Sequence, residues 1–264
     1  MYEVNYQRAT SVADAVGKLG SDGKLLSGGM TLIPTMKSRL AAPSVLVDIA
    51  RIGELQGITV SGSDVTVGAA TTHFDVANSK EIAAVCPAFC HLASHIGDPH
   101  VRHKGTIGGS IANNDPAADY PAALLALGAT IVTNKREVSA ESFFKGLFET
   151  ALEENEVVTA VKFAAPAKAG YAKFPNPASR YAITGVFVAQ GAGGVRVAVT
   201  GAGETGVFRS REIEAALGGR FEASALEGLS LSADGLMGDI HATPEYRANL
   251  IVVMAKRAVT AANG

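Results

Sequence analysis

Residues 97–122, from Gly97 to Ala122, constrain the fold of this chain more than any other stretch. At their centre, Thr106-Ile107-Gly108-Gly109-Ser110 sets a bare glycine pair between hydroxyl side chains. Paired glycines permit φ > 0 and let a ligand approach the main chain with no Cβ in the way. Successive N–H groups in such a turn form a nest for an anion, to which the hydroxyls add donors. Asn113, Asn114, Asp115 and Asp119 follow, spaced by Pro116 and Pro121, and the basic run Arg102-His103-Lys104 precedes them. The segment reads as a long, polar, rigidly turned binding loop. A tight structural turn between two elements is the alternative.

A second pair of the same design, Ser27-Gly28-Gly29-Met30-Thr31, stands between a short strand at 24–26 and a helix at 32–40 that carries Lys37 and Arg39. Strand, glycine turn and helix aim both turn N–H groups and a helix N-terminus at one ligand. Two such pairs in separate subdomains suggest that both grip one extended diphosphate. Neither is a P-loop, since no Gly-Lys-Ser/Thr follows. A literal GxGxxG, Gly201 to Gly206, also follows a strand. A dinucleotide fingerprint needs a helix opening at its third glycine and a parallel strand soon after. Val207-Phe208-Arg209 intervenes instead, so this run is better read as a strand ending in a glycine turn.

The remaining pattern bounds the class. The 264 residues suffice for one large or two to three small domains, and 47% hydrophobic against 18% charged residues mark a globular chain. A net charge of −2 argues against a nucleic-acid groove. Two cysteines make no disulfide framework, which points to a reducing, cytoplasmic compartment. The N-terminus has no signal-peptide pattern, and no apolar run approaches the ~18 residues of a membrane span.

In chain order, residues 10–19 have helical spacing behind a Thr/Ser cap, and 45–49 form a strand. Residues 58–60 and 65–67 make a hairpin. A helix opens at Thr72-His73-Phe74, and another runs over 87–96 with proline at its start. Residues 122–132 pass from short helix to strand, and 142–144 and 157–163 add strand or core. Prolines at 166, 175 and 177 place a domain boundary near 165. Beyond it come strands at 185–190 and 195–200 and helices at 211–217, 224–229 and 244–262. Cys86, Cys90, His91, His95, His100 and His103 crowd together, but without a second distant pair of ligands they do not make a zinc pattern. Two thiolates also fall short of the four that usually hold an iron–sulfur cluster.

Ile96-Gly97-Asp98-Pro99, Val101-Arg102, Gly105 to Ser110 and Asp115 to Asp119, together with Ser27 to Thr31 followed by Leu32-Ile33-Pro34, resemble the FAD-binding medium subunits of molybdenum hydroxylases. These are the carbon monoxide dehydrogenase and xanthine dehydrogenase flavoproteins, and Ala242 to Arg247 resembles their last helix. The resemblance implies an α+β fold. A PCMH-type (p-cresol methylhydroxylase-type) FAD-binding region spans 1–165, with subdomains of about 1–55 and 56–165. A small C-terminal domain of antiparallel strands and helices spans 166–264. It implies FAD as cofactor, held by Ser27, Gly28, Gly29, Met30 and Thr31, by Thr106, Ile107, Gly108, Gly109 and Ser110, and by Asp119, Val158, Lys173 and Tyr181. It assigns no catalytic side chain to this subunit. Its partners would be a molybdopterin-binding large subunit and a [2Fe–2S] small subunit, arranged as a dimer of trimers, with an external electron acceptor. A free-standing FAD-dependent oxidoreductase of the same fold, or a ligand-binding or assembly protein without flavin chemistry, are the alternatives. The substrate is not legible, because its pocket would lie on another chain.

Overall fold

A computed structural model describes residues 1–264. The chain opens with β1 (Asn5–Arg8), α1 (Val12–Leu19), β2 (Lys24–Leu26), α2 (Leu32–Lys37) and β3 (Val45–Asp48), and the strands pair in parallel in the order β1-β3-β2. Parallel neighbours need crossovers, and the two helices supply them. α1 starts where the Ser11 hydroxyl accepts from the Asp14 N–H and stops at Gly20, whose φ of 61° disfavours residues with a Cβ. Val12, Ala15, Val47 and Ile49 form this unit's core, which continues into Ala70 and Val157 of the next layer. β1 has no sequence signal of its own: it is polar, mostly exposed, and held through pairing with β3.

A 3₁₀ turn at Gly53–Leu55 leads to β4 (Ile58–Ser61) and β5 (Asp64–Gly68). Helices α3 (His73–Ala77), α4 (Lys80–Val85), α5 (Pro87–Ser94), α6 (Pro99–Arg102), α7 (Ile107–Asn113) and α8 (Tyr120–Leu127) follow. Then come β6 (Thr130–Thr133), β7 (Glu137–Ser139), α9 (Ala140–Phe143), the small hairpin β8 (Phe144–Gly146) and β9 (Glu149–Thr150), and β10 (Val158–Ala164). The five-stranded sheet is antiparallel, in the order β4-β5-β10-β6-β7. The expected loop over 97–122 is therefore largely helical. Asp98 caps α6 ahead of Pro99, Thr106 caps α7, and Pro121 sits in the first turn of α8. The residues that suggested turns are those that start helices, because a capping side chain and a proline ring serve both.

The last third is a second antiparallel sheet, β11 (Lys168–Pro175), β12 (Ala182–Gly191), β13 (Gly194–Thr200) and β14 (Phe208–Arg209). It is completed by α10 (Arg211–Gly219), a 3₁₀ turn at Ala223–Leu226 where a longer helix was expected, and α11 (Pro244–Asn263). β11 was not anticipated, since Gly170 and the prolines around it read as punctuation. Gly170 is there for contact: a Cβ would stand 1.9 Å from the Ala258 carbonyl oxygen of α11. β12 is buried on both faces. Phe187 and Ala189 face the core under α5 and α8, while Val186 and Val188 face α11, following the two-residue alternation of a strand. α8 is thus enclosed between two sheets, which explains its uniform apolarity.

Candidate functional site

The two glycine motifs meet. Ser27 Oγ and Thr106 Oγ1 are 2.9 Å apart, and a Cβ on Gly28 would lie 2.0 Å from the Lys104 carbonyl oxygen. They form one wall of a cleft of about 780 Å³ between the parallel sheet, α7, the start of β10 and the 179–181 turn before β12. Every residue expected at the site lines this cleft except Ile107 and Lys173. Ile107 is fully buried in the core, and its N–H donates to the Thr71 carbonyl.

The two motifs differ in what they offer. Gly29 has φ of 71°, and the N–H groups of Gly28, Gly29, Met30 and Thr31 donate to no other backbone group. Thr31 opens α2 without a side-chain cap. This is a run of donors facing a cleft, suited to an anion. The second motif is not a positive-φ nest. Gly108 and Gly109 are helical, in the first turn of α7, where Gly108 N–H donates to Ala69 O at 2.8 Å and Gly109 N–H to Thr106 Oγ1 at 3.2 Å. Gly108 is needed for packing, as a Cβ would come within 2.5 Å of the Ala69 Cβ. Gly109 is open, with only Thr106 Oγ1 at 3.0 Å. The expected pair of equivalent grips thus becomes one donor turn and one close-approach helix end.

Asp119 lies at the cleft but is gripped from behind. Its Oδ1 accepts from Tyr171 Oη at 2.5 Å and pairs with Lys173 Nζ at 2.8 Å, with side chains of Lys173 and Asp119 only 3% and 5% exposed. Lys173 also donates to the His95 carbonyl at 2.8 Å. Burial pushes the Asp119 carboxyl above its ordinary range, against the opposing pull of Lys173 and Tyr171. Lys173 is accordingly a support for Asp119, placed by β11 rather than by the cleft wall. Val158 begins β10, and Tyr181 stands half-exposed at the rim.

Residues that sequence reasoning did not assign to the site also line it, among them Lys24, Ile96, His73 and the 152–157 segment. Within that segment Glu156 accepts from Arg136 Nε at 2.9 Å, Thr133 Oγ1 at 2.7 Å and Glu153 N–H at 2.8 Å, and Arg136 foremost holds its carboxyl down to about 2. Its local pattern could not have signalled the ion pair, because Thr133 and Arg136 come from the end of β6 and the turn after it. Cys86 and Cys90 are buried, and burial raises both thiols to about 11. Gly201, with φ of 80°, ends an antiparallel strand, so no βαβ dinucleotide unit exists there.

Residues 2–166 match the family described as the FAD binding domain in molybdopterin dehydrogenase. The chain belongs to that family. Along nearly its whole length it is similar to the carbon monoxide dehydrogenase medium chain of Hydrogenophaga pseudoflava, at 36% identity over 97% of this chain and 96% of the relative. The nicotine 6-hydroxylase medium subunit of Paenarthrobacter nicotinovorans is 32% identical over 98% and 97%. Among solved structures, reconstituted CO dehydrogenase from Oligotropha carboxidovorans superposes with a TM-score of 0.89 at 34% identity, covering 99% of this chain and 98% of that one. The chain is therefore an FAD-binding medium subunit of the molybdenum hydroxylase type, an oxidoreductase subunit of mixed helix and strand with FAD as its cofactor. No helix is long and apolar enough to cross a membrane.

Proposed function

We propose that the free N–H run from Gly28 to Thr31 carries the FAD diphosphate, with Ser27, Thr106 and Ser110 adding hydroxyl donors and Gly109 giving it close access. That uncommitted donor run, at the edge of a cleft of this size, is the observation that supports the reading most strongly. Asp119, anchored by Lys173 and Tyr171, would hold a polar edge of the cofactor, Val158 a backbone contact, and Tyr181 a place beside the flavin ring. Bound FAD supplies the redox chemistry, and this chain contributes binding, orientation and exclusion of water. Electrons would arrive from a [2Fe–2S] small subunit, after oxidation of substrate on a molybdopterin large subunit, and leave to an external acceptor. We place residues 1–165 as the FAD-binding region and 166–264 as a C-terminal domain, in a cytoplasmic dimer of trimers.

The test is anaerobic reduction of the purified chain loaded with FAD. Dithionite should bleach the flavin band, whereas the substrate that bleaches the assembled complex should do so only after the partner subunits are added. Rapid bleaching by substrate alone would favour a free-standing oxidoreductase, and a colourless chain that takes up no FAD would remove the reading altogether.

A further inference from the structure

His73 opens α3 on the wall of the cleft, and nothing above gives it a task. The residue is 5% exposed, and its ring packs against Tyr120 with centroids 5.4 Å apart. Nδ1 is fully buried and finds no hydrogen-bond partner, so it is closed to the cleft and only Nε2 could meet a molecule held there. The Nε2 edge faces Gly105, where a Cβ would come within 2.6 Å of the nitrogen, so the missing side chain at 105 makes room for the imidazole. Two backbone bonds clamp the residue to the start of α7: His73 N–H to Gly105 O at 2.9 Å, and Ile107 N–H to Thr71 O at 3.1 Å. Burial first, and then the charge of Arg102, hold the ring's pKa at about 4. At neutral pH it therefore carries one N–H and one lone pair. Buried polar atoms are ordinarily paired, and a leucine would fill this volume without stranding one.

We infer that His73 is a further cofactor ligand, whose imidazole Nε2 hydrogen-bonds a polar atom of the FAD held beside Gly105 and the first turn of α7. The inference rests on the reading of the cleft as the FAD site. A neutral ring can act there as donor or acceptor without adding charge. Its backbone bond to Gly105 sets the ring's position relative to the glycine motif.

The experiment uses the full chain with ¹⁵N-labelled histidine, its ring nitrogens observed by NMR at pH 7 before and after loading with FAD. The His73 signals, assigned by their loss in His73→Asn, should shift on loading, with one tautomer fixed. FAD affinity, read from flavin fluorescence quenching, should fall about tenfold in His73→Leu, the loss of one hydrogen bond, and recover in part in His73→Asn, which restores a polar atom. FAD bound with the His73 signals unmoved, or His73→Leu binding as tightly as the parent, overturns the inference while leaving the FAD cleft in place. A parent chain that binds no FAD overturns both. Should His73→Leu fail to fold, the NMR measurement on the parent chain decides alone.

Discussion

Lys173→Met keeps most of the stem that packs along β11 and deletes only the ammonium. Asp119 is then left, nearly fully buried, with Tyr171 Oη as its one side-chain donor. Removing one partner of a buried ion pair costs about 3–5 kcal/mol, a large share of the roughly 5–15 kcal/mol that separates folded from unfolded domains. The sign of the pH dependence follows from the carboxyl. Burial already raises its folded pKa and Lys173 opposes that rise, so losing Lys173 raises it further above the unfolded value of ~3.9. The penalty is complete above the new folded pKa, shrinks as pH falls through it, and is gone below about pH 4, where Asp119 is protonated in both states. Urea unfolding of the parent, Lys173→Met, Asp119→Asn and the double variant at pH 8, 6 and 5 measures this. The double variant should recover most of the single loss, since the two sites are directly coupled. A Lys173→Met penalty below about 1 kcal/mol, equal at pH 8 and pH 5, or a double variant that loses the sum of both, would refute the account.

Gly109→Val should abolish FAD retention with the circular dichroism unchanged, because the new side chain enters open cleft space; Gly206→Ala, with nothing within 3.8 Å and φ of 100°, should cost about 1 kcal/mol and keep the flavin. Gly201→Ala should destabilise more than Gly206→Ala, as its Cβ would also meet the Ala182 carbonyl at 2.3 Å, and visible absorbance after gel filtration separates the three. Glu156, held at about 2 chiefly by Arg136, contributes stability that is present above its ordinary pKa of 4.5 and lost as pH falls toward 2. With a discount for the exposed Arg136 this is about 2 kcal/mol, which Glu156→Gln should remove at pH 7 while flattening the acid limb of a urea-unfolding series.

What could be read from the sequence was local. Ser27 to Thr31 announced a strand–turn–helix because strand, glycine pair and helix are contiguous, and two short apolar runs joined by Gly191-Ala192-Gly193-Gly194 marked a strand pair. β1 and β11 escaped because each is defined by a partner, β3 in one case and β12 with α11 in the other, rather than by its own hydrophobic period. The helical nature of 97–122 was hidden for a different reason, the shared chemistry of helix starts and turns at Asp98, Thr106 and Pro121. At the site, the glycines and hydroxyls were legible as chemistry. The anchoring of Asp119 by Tyr171 and Lys173 was not, since it depends on a sheet that approaches from 52 residues away. The unequal roles of Gly108 and Gly109 also required coordinates, because adjacent glycines are indistinguishable until their neighbours are known.

The matched family region stops at residue 166, yet Tyr171, Phe187, Ala189 and Ala198 belong to the same core as Val65, Phe89 and Leu124. Thr200 Oγ1 donates to the Ala118 carbonyl at 2.6 Å and to that of Pro116 at 3.0 Å, so the segment leading to Asp119 is fastened by β13. The region that recurs as a unit of descent therefore shares its core with the sheet that follows it. Inheritance could exchange it between complexes only together with the C-terminal sheet, and a library of shuffled flavoproteins joined near residue 166 would select for matched halves.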